Sequence, residues 1–338
     1  MSRPRALRHR SLTALLALAL PATLALSACG SEQEDLKGFD AVSVSGDVGS
    51  APKFDFKGTL APGAAQDKVI TEGTGATLAD GDQVLVNYAV ANGFTKKTVI
   101  DTFGDEAGGF VQKVGAKVEP QQITDLLVDP VRKQIKAGLK VGTRLAVTVS
   151  SEKLIGQYLG DQQVSSYMAG KDIGNEDGLV IVADLVAVAA KEPAGTPVTT
   201  AKPAWAPEVT LKGTTPSGLN FAGVAKPDAK LEVSTLIQGA GPEVKSGDVI
   251  AANYLGAVYK GKKPFDESYS RGEPLSAILS EEFGTVVKGW SQGLIGVKVG
   301  SRVLLKIPPA LGYGDQAQGA DIPANSTLYF VIDVLGAA

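Results

Sequence analysis

The feature that most constrains this chain is an internal repeat. Glu72-Gly73-Thr74-Gly75, Gly81-Asp82 and Asn87-Tyr88 recur as Gln238-Gly239-Ala240-Gly241, Gly247-Asp248 and Asn253-Tyr254 at a constant offset. Further on, GLKVGTRLAVTV from Gly138 is answered by GVKVGSRVLLKI from Gly296, and LVIVADLV from Leu179 by LYFVIDVL from Leu328. Even the entries match, Pro52 to Gly58 against Pro207 to Gly213. Order and spacing both hold, so the chain is expected to build one supersecondary unit twice.

Within each copy, Val84–Val90, Arg144–Val149, Val249–Leu255, Arg302–Ile307 and Leu328–Leu335 are short, rich in β-branched residues and bounded by Gly, Pro or Asp. They read as strands of an antiparallel sheet. In the second copy Val286, Val287, Trp290 and Leu294 recur at helical spacing, which predicts one short amphipathic helix. Gly289 and Gly293 weaken it by about 1 kcal/mol each relative to Ala, so packing against the sheet must hold it. The expected fold class is α+β, two domains, each a twisted antiparallel sheet curled around one short helix. Pro, Thr and Ala between the copies predict an extended linker over 191–206. The boundaries become 1–28 for a leader, 29–39 for a tether, 40–190 and 207–338 for the two domains.

The first ten residues carry Arg3, Arg5, Arg8, His9 and Arg10 with no acid, and an apolar stretch runs from Leu12 to Ala28. This is the charge and hydropathy profile of an export signal, and it is shorter than the ~20 residues of a membrane span. Leu26-Ser27-Ala28-Cys29-Gly30 resembles the lipobox of bacterial lipoprotein precursors, which implies cleavage before Cys29 and acylation of that cysteine. The mature chain would then sit outside the cytoplasm, lipid-anchored to the outer face of the cell membrane. Loss of four arginines leaves 29 basic side chains against 36 acidic ones, a balance of −7. Such a charge disfavours nucleic acid as a partner. His9, the one histidine, leaves with the leader, and Cys29 is the one cysteine. Histidine- or thiol-dependent nucleophilic catalysis and His/Cys metal sites are thereby excluded. No cofactor or metal is expected, and chemistry that breaks no covalent bond survives.

In the second copy six motifs follow one another: Gly247-Asp248, NYLG from Asn253, PFDES from Pro264, VVKGWSQGL from Val286, GSRVLLKIPPALGYG from Gly300 and IPANSTLYFVIDVL from Ile322. In this order they resemble the FKBP-type peptidyl-prolyl cis-trans isomerases, of bacterial, actinobacterial-like lipoprotein form. The resemblance implies a shallow aromatic cup for a proline ring, with Trp290 as floor and Tyr254, Phe265, Val286, Val287, Tyr313, Ile322 and Phe330 as walls. It also implies that Asp266 is the cup's carboxylate, that proline-containing polypeptides are the clients and that macrolides are possible ligands. Where many members carry a second aromatic, this chain has Leu275, which predicts a wider or less aromatic wall. Gln318 stands where a histidine is frequent.

Alignment places Arg132 opposite Trp290, Ile155 opposite Tyr313, Ile181 opposite Phe330 and Ile100 opposite Phe265, leaving Tyr88 and Asp101 in the first copy. The first copy also has a longer loop, Gln157 to Gly178. It is expected to be a degenerate, FKBP-like binding or spacer module. A different class of function, a non-catalytic peptide-binding or chaperone lipoprotein, is the competing expectation.

Overall fold

A computed structural model describes residues 35–104, 108–120 and 122–338. The leader and Cys29 lie outside the described residues. Residues Glu34–Ala338 form one compact unit.

Four short strands come first: β1 (Asp35–Leu36), β2 (Val42–Ser45), β3 (Lys53–Phe56) and β4 (Thr59–Leu60). β1 pairs with β4 and β2 with β3. A first large sheet follows, made of β5 (Gln66–Thr71), β6 (Gln83–Asn92), β7 (Lys97–Asp101), β8 (Phe110–Lys113), β9 (Arg144–Ser150) and β10 (Gly178–Val188). Its order is β5-β9-β10-β6-β7, with β8 also on β6. It carries three helices, α1 (Ile123–Arg132), α2 (Ser151–Ile155) and α3 (Gln162–Gly170). The second large sheet comprises β11 (Gly195–Pro197), β14 (Glu232–Gly239), β15 (Val249–Val258), β16 (Asp266–Glu267), β17 (Leu275–Ile278), β18 (Arg302–Ile307) and β19 (Leu328–Ala337). The hairpin β12 (Glu208–Lys212) and β13 (Thr215–Asn220) precedes β14, and α4 (Lys288–Leu294) lies between β17 and β18. The order is β11-β14-β18-β19-β15-β16, with β17 on β15, and every pair within the two large sheets is antiparallel.

Each large sheet is buried on both faces, which is why its central strands are predominantly apolar rather than alternating, with single polar residues such as Asp184 and Asp333 engaged in buried pairs. Helices cover one face of the first sheet, joining Leu127, Val131, Val147 and Ile181 in one core. Leu36, Phe39, Phe54 and Phe56 cover the other. In the second sheet Trp290 and Leu294 of α4 pack on Val303, Leu305 and Ile332. Behind it lie Trp205, Phe221 and Val209.

The repeated motifs are joints of this design. A Cβ on Gly73 would lie 2.3 Å from the Val141 carbonyl oxygen, and one on Gly239 the same distance from that of Val299. Only glycine lets the chains pass so closely. The neighbouring Gly73 and Gly239 N–H groups donate to Thr143 Oγ1 at 3.0 Å and Ser301 Oγ at 2.9 Å. Asp82 and Asp248 accept from the Ala79 and Lys245 N–H groups, each at 2.8 Å, a local turn-fixing use of aspartate.

Four expectations need correction. Part of the stretch expected as a tether is folded: β1 pairs with β4, and Gly38–Asp40 makes a 3-10 turn. The expected linker is extended but docked, since Gly195–Pro197 adds to the edge of β14 and Trp205 packs beneath the sheet. Extended backbone with unspent N–H and C=O groups satisfies them most readily on a sheet edge. The helix over 286–294 is shorter than its apolar spacing, because Val287 is its extended N-cap (ψ 145°) and Val286 lies before it. Finally, the Gln157–Gly178 loop contains α3, and with α2 just before it the first sheet has three α-helices among the described residues rather than one. Asp161 caps α3 through the Gln163 N–H at 2.7 Å, and Val164 and Met168 turn inward.

Candidate functional site

An open aromatic cavity of about 360 Å³ lies between the second sheet and α4. Tyr254, Phe265, Asp266, Leu275, Val286, Val287, Trp290, Tyr313 and Phe330 line it together with Gly284 and Thr285. Of the residues expected from sequence, Ile322 is buried in the same core cluster as Tyr254, Trp290 and Phe330, and its side chain is not among those lining the cavity.

The walls are set by the strands. Tyr254 on β15 faces Phe330 on β19, since Gly256 is the register partner of Phe330 and Tyr254 that of Ile332. A Cβ on Gly256 would lie 2.6 Å from Phe330 and 2.7 Å from Phe265, so the glycine of NYLG makes room for these two rings to meet. They do so edge to face, 5.6 Å apart at 88°. Trp290 rises from α4 beneath them, 5.4 Å from Tyr254 at 80° and 5.3 Å from Phe330 at 81°. Such edge-to-face contacts are the favoured aromatic geometry, and they leave Trp290 only 2% exposed. Tyr313 forms the rim and is 38% exposed. Its loop is held by Gly314 N–H donating to the Pro309 oxygen and Asn325 N–H to that of Gly314, both at 2.8 Å.

The α4 backbone can approach the sheet because of its glycines. A Cβ on Gly289 would sit 2.4 Å from Ile307 Cγ2, and one on Gly293 3.0 Å from Leu305 Cδ2. The glycines that cost helix propensity therefore seat Trp290 at its depth.

One edge of the cup is polar. Tyr254 Oη donates to Asp266 Oδ2, Arg271 donates to Asp266 Oδ1 at 2.8 Å and to Tyr254 Oη at 2.9 Å, and Ser268 Oγ accepts the Tyr254 N–H at 2.9 Å. Burial pushes the Tyr254 phenol up to about 12, with the Asp266 hydrogen bond in the same direction. Burial alone would raise the Asp266 carboxyl, but hydrogen bonds from Tyr254 and Arg271 and the Arg271 charge outweigh it and hold it below its ordinary value. At neutral pH the edge thus presents a carboxylate and a neutral phenol already engaged with each other, beside an otherwise dry aromatic surface. The arrangement can seat a compact apolar ring and hold a carbonyl by its rim, without a nucleophile or a metal. Among the described residues no group of three or more His, Cys, Asp or Glu side chains is placed to hold a metal ion.

Arg271, Gly284 and Thr285 were not singled out in the sequence. For Arg271 the signal was a cation five positions after the cup's carboxylate.

A larger cleft of about 560 Å³ runs between the two sheets, lined by Lys113, Asn253, Tyr269, Arg302 and Asp333 among others. Several of its charges are engaged: Arg302 Nε donates to Asp333 Oδ1 at 2.6 Å, Tyr269 Oη to Oδ2 at 3.0 Å, and Lys113 pairs with Glu273.

The corresponding region of the first sheet is filled. Tyr88, Ile100, Ile155 and Ile181 lie in one buried core with Val164 and Met168 of α3. Arg132 does not take the place of a floor, because α1 turns Leu127, Val128 and Val131 inward. Its guanidinium lies 4.2 Å from the Phe110 ring centroid and pairs with Asp125 at 3.0 Å. Phe110 is an aromatic that the sequence comparison passed over. It pairs with Val86, two residues before Tyr88, as Leu275 pairs with Ala252, two before Tyr254. Burial is the main cause lowering the Arg132 pKa and raising that of Tyr88. Asp101 caps the Phe103 N–H at 2.9 Å.

Residues 241–335 match the family model described as FKBP-type peptidyl-prolyl cis-trans isomerase. The chain is 44% identical over 107 residues to FK506-binding protein 1A of Neurospora crassa, which covers 31% of this chain and 87% of that protein. It is 40% identical over 114 residues to FK506-binding protein 2 of Dictyostelium discoideum, 33% of this chain and 84% of that protein. To the FKBP-type peptidyl-prolyl cis-trans isomerase FkpA of Escherichia coli it is 41% identical over 113 residues, 33% of this chain and 40% of that one.

Proposed function

The chain belongs to the FKBP-type peptidyl-prolyl cis-trans isomerase family, and from that premise we propose that its second sheet forms a catalytic domain, 207–338, acting on exported proline-containing polypeptides outside the cytoplasmic membrane. Residues 40–190 form a degenerate domain of the same design. The observation that carries the reading is the cup itself, with Trp290 edge-on to Tyr254 and Phe330 and the Tyr254–Asp266–Arg271 network along one side.

The chemistry suits these residues. Rotation about an X-Pro bond is opposed by amide resonance with a barrier of ~18–20 kcal/mol, and nothing needs to be attacked or cleaved. The twisted amide has lost conjugation and charge separation. A dry aromatic cup therefore disfavours the planar, polar ground state more than the twisted one. Lowering the barrier by about 5.4 kcal/mol accelerates exchange ~10⁴-fold. Trp290 supports the proline ring while Phe265, Val286, Val287, Leu275 and Phe330 enclose it. Tyr313 Oη and the Ile322 N–H hold substrate carbonyls, and Asp266 orders Tyr254 and faces the rotating carbonyl. Macrolides that present a proline-like ring would occupy the same cup.

The test is isomerisation of a proline tetrapeptide by the full chain. Acceleration that falls at least tenfold with Phe265→Ala is expected, and a parent rate equal to buffer would sink the proposal in favour of a binding-only module. The extracytoplasmic setting is supported by the Arg-rich leader and the Leu26–Gly30 lipobox. Cys29→Ala should leave the precursor uncleaved or release the protein from membranes. Normal anchoring of that variant would refute the lipobox reading.

A further inference from the structure

Resting on the reading of the cup as the isomerisation site, we infer that the 108–113 segment of the first sheet is a positioning element for that cup, acting through Ile278. The Val286–Val287 wall hangs from β17. The Ile278 N–H donates to Thr285 Oγ1 at 3.0 Å and the Ile278 oxygen accepts from the Thr285 N–H at 3.2 Å, immediately before Val286. Leu275, the wall residue that stands in place of an aromatic, begins the same strand. β17 is four residues long and, among the described residues, pairs only with β15. So short an edge strand, anchored on one side, is held weakly by its own sheet.

The first sheet lies against it. Ile278 packs over the Gly108 backbone so tightly that a Cβ there would lie 2.5 Å from Ile278 Cγ1 and 2.8 Å from Cγ2. Ile278 is β-branched and stiff in a strand, so it cannot swing aside cheaply. Next along the chain, Val111 packs on the buried cluster of Leu85, Ala251 and Leu335, which joins the two sheets. Lys113 pairs with Glu273, two residues before Leu275. That ion pair is half exposed and fixes orientation more than it adds stability. β17 is therefore held near both ends by the first sheet, and its counterpart there, β8, supplies part of the hold. A domain that has filled its own cup keeps its neighbour's wall in place, and Gly108 is the residue whose missing side chain permits it.

The experiment is steady-state isomerisation of a proline tetrapeptide by full-length Gly108→Val. A displaced wall weakens seating of the ring, so KM should rise about fivefold with kcat within about twofold of the parent. A merely structural role would lower the active fraction, reducing apparent kcat and leaving KM unchanged. Adding Ile278→Ala makes room for the new side chain and should return KM to within about twofold of the parent. If Gly108→Val does not fold, Gly108→Ala presses on the same contact and is read in the same way. An unchanged KM, a loss confined to kcat, or a KM rise that Ile278→Ala fails to relieve would overturn the inference. A parent chain without isomerase activity would instead overturn the site reading beneath it.

Discussion

Asp266, Tyr254 and Arg271 act as one unit, and their shared hydrogen bonds decide how the cup responds to pH. The Asp266 carboxyl is held below its ordinary 3.8, so its contribution to stability is present above that value and is lost as pH falls through the lower, folded one. The Tyr254 phenol is raised from 10.0 to about 12. Its contribution is complete below 10 and is lost as pH rises through about 12. Isomerisation by the full chain should accordingly be level from about pH 5 to about pH 9. A sigmoidal change inside that window would mean that another titrating group controls the cup. At the same scale, Asp266→Ala and Tyr313→Phe should each lower kcat/KM while the protein stays folded by circular dichroism. Asp101→Ala on β7 and Ile155→Val on α2, at the matching places of the first copy, should leave the rate within about twofold. A comparable loss from Asp101→Ala would mean that the filled first cup turns over substrate.

At the scale of elements, α4 shows two local rules in conflict. Ala would improve helix propensity at position 289 by about 1 kcal/mol, but the added methyl would meet Ile307 Cγ2 at 2.4 Å. Overpacking of that kind costs about 1–3 kcal/mol, so contact with the sheet wins. Gly289→Ala should be destabilised by about 1 kcal/mol in urea unfolding, with a proportionate loss of peptide binding as Trp290 is lifted. Stabilisation would show that α4 has slack against β18. In α3, by contrast, the local rules agree: Asp161 caps the helix and Val164 and Met168 face inward, so the cap and the apolar spacing mark a helix within the Gln157–Gly178 loop.

Across the whole molecule, each sheet is tied to its N-terminal hairpin by one buried arginine–aspartate pair. Arg144 binds Asp184 and the carbonyls of Ser45, Gly46, Asp47 and Ser50, whereas Arg302 binds Asp333 and the carbonyl of Thr214. Removing one partner leaves the other charge buried. Asp333→Ala should cost about 3–5 kcal/mol in equilibrium unfolding, and Arg302→Met combined with Asp333→Leu should recover much of it. A loss below about 1 kcal/mol for Asp333→Ala would mean that water replaces the aspartate through the adjoining cleft.

The sequence alone determined the repeat, the central strands, the cup's aromatic residues and the loss of their counterparts from the first copy, whereas the filling of that copy by α3 came from the fold. Those features rest on local signals: alternation, glycines at close approaches, and motifs in fixed order. Tertiary structure alone decided the rest. Val286 and Val287 share the helical spacing of Trp290 yet lie before the helix, where the preceding Thr285 is hydrogen-bonded to Ile278 of β17 and Val287 is the extended N-cap. Arg132 lies across Phe110 because α1 must turn Leu127 and Val131 into the core. The tether and linker are docked because strand edges and apolar faces far away in sequence were left open to receive them. Spacing along a chain reports which residues can share a face, whereas which surface covers that face is settled by burial and backbone hydrogen bonding across the whole fold.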